Sequence, residues 1–113
     1  IVWKALRPQV AADLDIAHNY PATAFLIDAA NPAAPGGSGQ LTDWKLAREA
    51  VIRLLSPVIL AGGLQPDNVA AAIAAVRPWG VDASSGVETS PGFKDHDLIR
   101  RFIAAAKPLA THI

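Results

Sequence analysis

Four short apolar runs divide this sequence, and a stretch with helical spacing follows each of them. The runs do not alternate between apolar and polar residues, as a strand with one solvent-facing side does. Uninterrupted apolar strands are typical of parallel sheets that helices cover. The order β-α-β-α-β-α-β-α therefore predicts an α/β fold with a parallel sheet. The four strands are expected at Ile1–Leu6, Ala24–Ile27, Pro57–Ala61 and Val81–Ala83.

The helices are predicted from apolar residues that recur with a period of about 3.6 and from residues that favour helix ends. On the first helix, Val10, Leu14 and Ala17 are expected to share the buried face. Thr42 is the expected N-cap of the second helix. The four helices are expected over Val10–His18, from Asp43-Trp44 onward, from Pro66 to Arg77-Pro78, and from Asp95 onward.

Four βα units amount to half of an eight-stranded (β/α)8 barrel of the TIM type, which takes about 200–250 residues. The chain has 113 residues, contains no Met and begins inside an apolar run. We therefore expect residues 1–113 to form a partial barrel domain, the C-terminal half, whose N-terminal half is missing. The uncovered sheet edges of such a half are expected to pair with that missing half or with a second copy.

The composition excludes several classes of partner. The formal net charge is zero, whereas a nucleic-acid surface needs a basic stripe. No apolar run approaches the roughly 20 residues of a membrane span, and no signal peptide is visible. The chain has no Cys, so it carries neither disulfides nor thiolate chemistry. These features predict a cytoplasmic protein with neither a nucleic-acid nor a membrane partner.

Two turns of small residues follow the third and fourth strands. Gly62-Gly63 follows the third, and Ser84-Ser85-Gly86 follows the fourth. Backbone N–H groups can converge on an anion where no side chain intervenes, and adjacent parallel strands bring such turns together. The pattern predicts a phosphate site made by Gly62, Gly63, Ser85 and Gly86, although simple tight turns would have the same composition.

Two acids end apolar strands at the same predicted edge. Asp28 is a candidate general acid, which must hold its proton near neutral pH, and burial favours that form. A cap or turn aspartate is the alternative. Asp82 is a candidate substrate contact, or else a structural acid bonded to backbone N–H groups. The loop Gly36–Gly39 beside Asp28 is either a flexible connection or a lid whose Gly37 adds an N–H donor to the phosphate site.

An ordered set of motifs resembles the phosphoribosylanthranilate isomerase family over nearly the whole chain. The motifs are Leu26-Ile27-Asp28, Gly36-Gly37-Ser38-Gly39 with Asp43-Trp44, Leu60-Ala61-Gly62-Gly63-Leu64 with Pro66 and Asn68-Val69, Val81-Asp82-Ala83-Ser84-Ser85-Gly86-Val87-Glu88, Pro91-Gly92 and Lys94-Asp95. They would correspond to strands five to eight of that family's barrel.

The resemblance implies an Amadori rearrangement of N-(5-phosphoribosyl)anthranilate in tryptophan biosynthesis, without metal or organic cofactor. It implies that Asp28 is the acid and that Asp82 contacts the substrate. It also implies that the base, a first-strand cysteine, and an arginine that helps to bind the anthranilate end are absent here. The isolated chain is then expected to be inactive. A half-barrel that dimerises and binds phosphate, and another phosphate-binding barrel of the indole or histidine pathways, are the alternatives.

Overall fold

The fold is built on a four-stranded parallel sheet in the order β1-β2-β3-β4. Strands that follow one another in the sequence are therefore neighbours in the sheet, as the alternating pattern predicts. The computed structural model describes residues 3–19, 21–30, 43–83, 88–90 and 93–106. The strands are β1 (Trp3–Leu6), β2 (Ala24–Asp28), β3 (Val58–Ala61) and β4 (Gly80–Val81).

Within the described ranges, three α-helices and one 3-10 helix connect or follow these strands. The helices are α1 (Trp44–Arg53), α2 (Val69–Val76) and α3 (His96–Ala106), and the 3-10 helix spans Ala11–Asn19. In the described part of the chain, none of the helices is long and apolar enough to cross a membrane. The parallel α/β fold predicted from the sequence is confirmed.

The residues that pair across the strands show which face of the sheet the helices cover. Ile27 pairs with Leu6 and Leu60, and all three side chains belong to or pack against the core. Because successive side chains of a strand point to opposite faces, Asp28 lies on the other face from Ile27. The sheet, the helices and the segments beside them all supply buried side chains to the core: the strands (Phe25, Ile27, Val58, Leu60), the residue after β2 (Ala29), the 3-10 helix (Leu14, Ala17), α1 (Leu46, Ala47, Ala50), two connecting segments (Leu54, Leu64), α2 (Val69, Ala72, Ile73, Val76) and α3 (Phe102).

The first predicted helix is a 3-10 helix, and its buried face is narrower than expected. Leu14 and Ala17 are buried as predicted, whereas Val10 is 58% exposed. A 3-10 helix has three residues per turn, so residues 14 and 17 lie directly above one another. The 3-10 helix begins at Ala11, so Val10 lies before its first turn and outside the row formed by Leu14 and Ala17.

Carboxylates cap the N-termini of α1 and α3. Asp43, and not the predicted Thr42, caps α1, because its Oδ1 accepts the Leu46 N–H at 2.9 Å. Asp95 caps α3 as predicted, since its Oδ1 accepts the N–H groups of Asp97 and Leu98 at 2.8 and 3.0 Å. Thr42 itself lies outside the described residues.

An antiparallel pair of strands lies between β4 and α3 and was not predicted. It consists of β5 (Glu88–Ser90) and β6 (Phe93–Lys94). Pro91-Gly92 separates the two strands in sequence. A Pro-Gly dipeptide between short segments is a hairpin signal, and the sequence analysis used it only as a family motif.

Asp13 gives the fold a pH dependence at the start of the 3-10 helix. Its Oδ2 accepts the N–H groups of Gln9 and Val10 at 2.8 and 3.1 Å. These bonds hold the pKa of the Asp13 carboxyl below its ordinary value of 3.8. A lowered folded-state pKa stabilises the protein above the unfolded value, and this stabilisation is lost as pH falls through the folded value. We expect the urea midpoint of wild type to exceed that of Asp13→Asn near pH 6 and to converge with it well below pH 3.8. A constant difference at all pH values would contradict this expectation.

Candidate functional site

The carboxyl ends of four neighbouring strands bring the candidate residues to one edge of the sheet. Arg7 follows β1, Asp28 ends β2, Gly62 follows β3 and Asp82 follows β4. The register places Asp28 beside Ala61, so that Gly62 is the next residue along the neighbouring strand. Active sites of parallel α/β folds lie at this edge.

Asp28 is the centre of this site. Its Oδ2 accepts two bonds from the Arg7 guanidinium, from Nε at 3.2 Å and from Nη2 at 2.8 Å. Its Oδ1 accepts the Ala30 N–H at 3.0 Å. The Asp28 side chain is only 25% exposed, whereas that of Arg7 is 68% exposed. The carboxylate is thus fixed in orientation while its charged partner reaches it from the solvent side.

Gly62 packs directly against Asp28. Its φ of +96° is a conformation that residues with a side chain rarely adopt. A Cβ at this position would lie 2.3 Å from Asp28 Oδ1 and 2.7 Å from the Ala30 N atom. Gly62 therefore serves both the backbone turn and the close approach of that turn to Asp28.

Asn68 connects the glycine turn to the start of α2. Its Nδ2 donates to the Gly63 carbonyl at 2.9 Å, and its Oδ1 accepts the Gln65 N–H at 2.7 Å. The residue is only 6% exposed, and among the described positions no other polar or charged residue is buried. Gly63 also has a positive φ, +68°. The side chain of Asn68 thus holds a turn that would otherwise be free to change conformation.

Substitution of Asn68 by alanine is expected to destabilise the chain by about 1–3 kcal/mol. The change leaves the Gln65 N–H and the Gly63 carbonyl, two groups in part-buried contacts, without their side-chain partner. Urea unfolding of the full chain measures the effect, with the exposed Asn19→Ala as the matched control. If both variants unfold at the midpoint of wild type, Asn68 does not hold the turn.

The other predicted site residues have different positions or are not described. Asp82 is exposed, and its N–H donates to the Leu60 carbonyl at 2.8 Å. Because β3 lies between β2 and β4, and neighbouring strands are about 4.8 Å apart, Asp82 follows a strand about 10 Å from that of Asp28. Gly37, Ser85 and Gly86 lie outside the described residues, as does the predicted lid Gly36–Gly39.

A groove of about 510 Å³ lies at the opposite edge of the sheet. Its walls include Pro57 and Val58 at the start of β3, and Trp79 just before β4. None of the predicted site residues lines it. We place the candidate site at the carboxyl edge, since the fixed carboxylate and the glycine turn meet there.

Sequence reasoning missed two residues of the site. The sequence predicts no role for Arg7, whose contact with Asp28 spans 21 positions. Asn68 was noted only within a family motif. A signal for Asn68 was present, because an asparagine between a Gly-Gly turn and an apolar helix favours side-chain to backbone bonds.

The comparisons with known proteins agree on one family. The family model described as N-(5'phosphoribosyl)anthranilate (PRA) isomerase matches residues 1–105. The N-(5'-phosphoribosyl)anthranilate isomerase of Geobacter sp. (strain M21) is 48% identical over 109 residues, which is 96% of this chain and 52% of the relative. That of Magnetococcus marinus is 49% identical over 104 residues, 92% of this chain and 49% of the relative.

Solved structures show the same similarity. Phosphoribosyl anthranilate isomerase from Thermotoga maritima superposes with a TM-score of 0.78 at 42% identity, over 96% of this chain and 52% of that chain. A structure of the enzyme in complex with reduced 1-(o-carboxyphenylamino)-1-deoxyribulose 5-phosphate gives a TM-score of 0.75 at 40% identity, over 96% of this chain and 49% of that chain.

This chain spans about half the length of the curated relatives that it matches. The match nevertheless covers nearly all of its own residues, and its parallel sheet agrees with the solved structures. The chain belongs to the phosphoribosylanthranilate isomerase family.

Proposed function

We propose that this chain supplies the general acid and the phosphate-binding turns of an N-(5'-phosphoribosyl)anthranilate isomerase. The observation that carries the proposal is Asp28, fixed at the carboxyl edge of the sheet against Gly62. The phosphate of the substrate would bind at Gly62, Gly63, Ser85 and Gly86, with Gly37 as a further donor. Asp82 would contact the sugar. The proposed location of the reaction is the cytoplasm, and no cofactor is required.

The proposed reaction begins with a proton transfer from Asp28 to the ring oxygen of the ribose. The bond between that oxygen and the sugar carbon attached to nitrogen then breaks, which opens the ring to a Schiff base. A base removes the proton from the next sugar carbon, which gives an enolamine. The enolamine then gains a proton at the carbon attached to nitrogen and loses its hydroxyl proton, which gives the ketone. This chain has no Cys, so the cysteine base that the family resemblance implies must come from another segment.

In this proposal, a second half-barrel completes the site. β1 and β4 stand at the two edges of the four-stranded sheet, and a barrel closes when such edges are paired. The proposed partner is a segment equivalent to the part of the relatives that this chain does not match. Residues 1–113 would then be one partial (β/α)8 barrel domain, the C-terminal half.

A joined protein tests the proposal. In it, the segment of the Geobacter relative outside the matched region is linked ahead of residues 1–113. We expect it to consume phosphoribosylanthranilate, measured as a loss of substrate fluorescence. Neither the relative's segment alone nor this chain alone should exceed background. A folded joined protein without turnover would contradict the proposal.

A second candidate is a phosphate-binding module that pairs with itself. The two edge strands favour it, because a second copy would cover them as well as a different half would. This second candidate predicts that the full chain is a dimer by light scattering. It also predicts that the full chain binds inorganic phosphate. A monomer that gains activity only with the relative's segment would exclude this candidate.

A further inference from the structure

Asn68 does not use its side chain in the way that its position in the chain favours. It is the residue before α2, where an asparagine side chain commonly accepts an N–H of the first helical turn. Asn68 makes no such bond within the described residues. Both of its amide atoms instead reach back to the glycine turn, to the Gly63 carbonyl and the Gln65 N–H. The side chain therefore serves the turn and not the helix.

These two bonds fix the direction of the peptide group between Gly63 and Leu64. That peptide bond is trans, and a trans peptide directs its carbonyl and its N–H to opposite sides. Since the Gly63 carbonyl faces Asn68, the Leu64 N–H faces away from it. The next N–H along the turn, that of Gln65, is occupied by Asn68 Oδ1. Asn68 thus turns an acceptor toward itself and a donor to the opposite side.

The Leu64 N–H is a buried donor in need of an acceptor. Leu64 is only 3% exposed, and its side chain belongs to the hydrophobic core. No acceptor for its N–H is present among the described residues. Buried backbone N–H groups nearly always have a partner, and water has little access to this one. The group that completes the bond therefore lies outside the described part of the chain.

We propose that this group is a phosphate oxygen of the substrate, and that Asn68 is the positioning residue that keeps the Leu64 N–H directed at it. Neither residue is among those that the sequence predicts to bind the phosphate. The inference rests on the proposed isomerase function, in which the phosphate lies at Gly62 and Gly63. An anionic oxygen suits this donor, because hydrogen bonds to charged acceptors are stronger than neutral ones.

The two glycines explain why the turn needs Asn68. Gly62 and Gly63 have φ values of +96° and +68°, and glycine adopts positive and negative φ about equally readily. Without Asn68, the peptide group after Gly63 can rotate and bring the Gly63 carbonyl to the side of the phosphate. A carbonyl oxygen repels an anion, so this rotation replaces an attractive contact with a repulsive one.

NMR titration of the full chain with ribose 5-phosphate tests the proposal. In wild type, the Leu64 amide proton should shift downfield and saturate, whereas that of Gln65 should change little because Asn68 holds it. Ribose, which lacks the phosphate, should shift neither. In Asn68→Ala, the Kd for ribose 5-phosphate should rise about 10- to 100-fold, as for a lost bond to a charged group. The exposed Asn19→Ala is the matched control and should bind as wild type does.

Asn68→Ser separates positioning from stability. Serine is a favoured N-cap, so it supports the start of α2, but its single hydroxyl cannot occupy the positions of both amide atoms. We expect its urea midpoint to lie closer to wild type than that of Asn68→Ala, with the same loss of affinity for ribose 5-phosphate. Binding that leaves the Leu64 amide proton unshifted, or wild-type affinity in Asn68→Ser, would overturn the proposal.

The joined protein distinguishes this failure from a failure of the proposed function. It should show the same contrast between wild type and Asn68→Ser in the Kd for reduced 1-(o-carboxyphenylamino)-1-deoxyribulose 5-phosphate, a reduced product analogue. If wild type bound its phosphorylated probe neither as the full chain nor as the joined protein, the proposed isomerase function would fail. If wild type binds and the effects at Leu64 and Asn68 are absent, the inference about Asn68 alone fails.

Discussion

Replacing Asp28 by asparagine is expected to lower kcat of the joined protein by about 10²- to 10⁴-fold, the range typical of a lost general acid. The amide has nearly the same shape as the carboxyl group and cannot donate a proton to the ring oxygen. The amide oxygen can still accept the Ala30 N–H, whereas the amide nitrogen cannot accept the two bonds that Arg7 donates to Oδ2. Loss of substrate fluorescence measures the rate.

Two controls separate lost chemistry from lost structure in Asp28→Asn. The Kd for the reduced product analogue should stay within about threefold of the wild-type value, because uniform binding does not depend on proton transfer. Asp82→Asn should raise KM by about tenfold, as for a lost contact to substrate. If Asp28→Asn retained more than a tenth of the wild-type kcat, Asp28 would not be the acid.

Gly62→Ala is expected to destabilise the protein by about 2–4 kcal/mol and to lower kcat/KM by at least about 100-fold. Two separate causes add. The φ of +96° is strained for alanine, and the new methyl group would lie 2.3 Å from Asp28 Oδ1 and 2.9 Å from the Ala29 N atom. To relieve this contact, Asp28 must move away from the position that the proposed proton transfer requires.

Gly80→Ala is the matched control for Gly62→Ala. Gly80 begins β4 of the same sheet, and among the described residues an added Cβ would meet only Ile59 Cγ1 at 3.6 Å, an ordinary contact. We expect its free energy of unfolding, from urea titration of the joined protein, to lie within about 1 kcal/mol of wild type. Equal effects at both positions would mean that the close approach of Gly62 to Asp28 is unimportant.

The parallel sheet could be predicted because its signals are local. β2 and β3 are uninterrupted apolar runs that end at Asp28 and at Gly62, so both the strands and the edge of the candidate site follow from the sequence. The helix over residues 44–53 was equally visible from its apolar period. Such features depend on neighbours in the chain and on the general rules for parallel sheets.

The remaining features depend on contacts between distant residues. Arg7 meets Asp28 only because of the register between β1 and β2, which no local pattern encodes. The role of Gly62 beside Asp28 depends on how closely the β3 turn approaches β2. The 3-10 helix over 11–19 buries Leu14 and Ala17 in a core that distant elements supply. Tertiary packing decides these cases, and propensity alone does not.

Alternation along β2 also has an evolutionary consequence. Ile27 is fully buried in the core, while the next residue, Asp28, points to the other face. Substitutions at these two neighbouring positions therefore act on different layers, at residue 27 on the hydrophobic core and at residue 28 on the proposed site. The reaction proposed for this edge could change through residues at the strand ends without disturbing the core. Position 62 limits that freedom, because any side chain there would disturb Asp28.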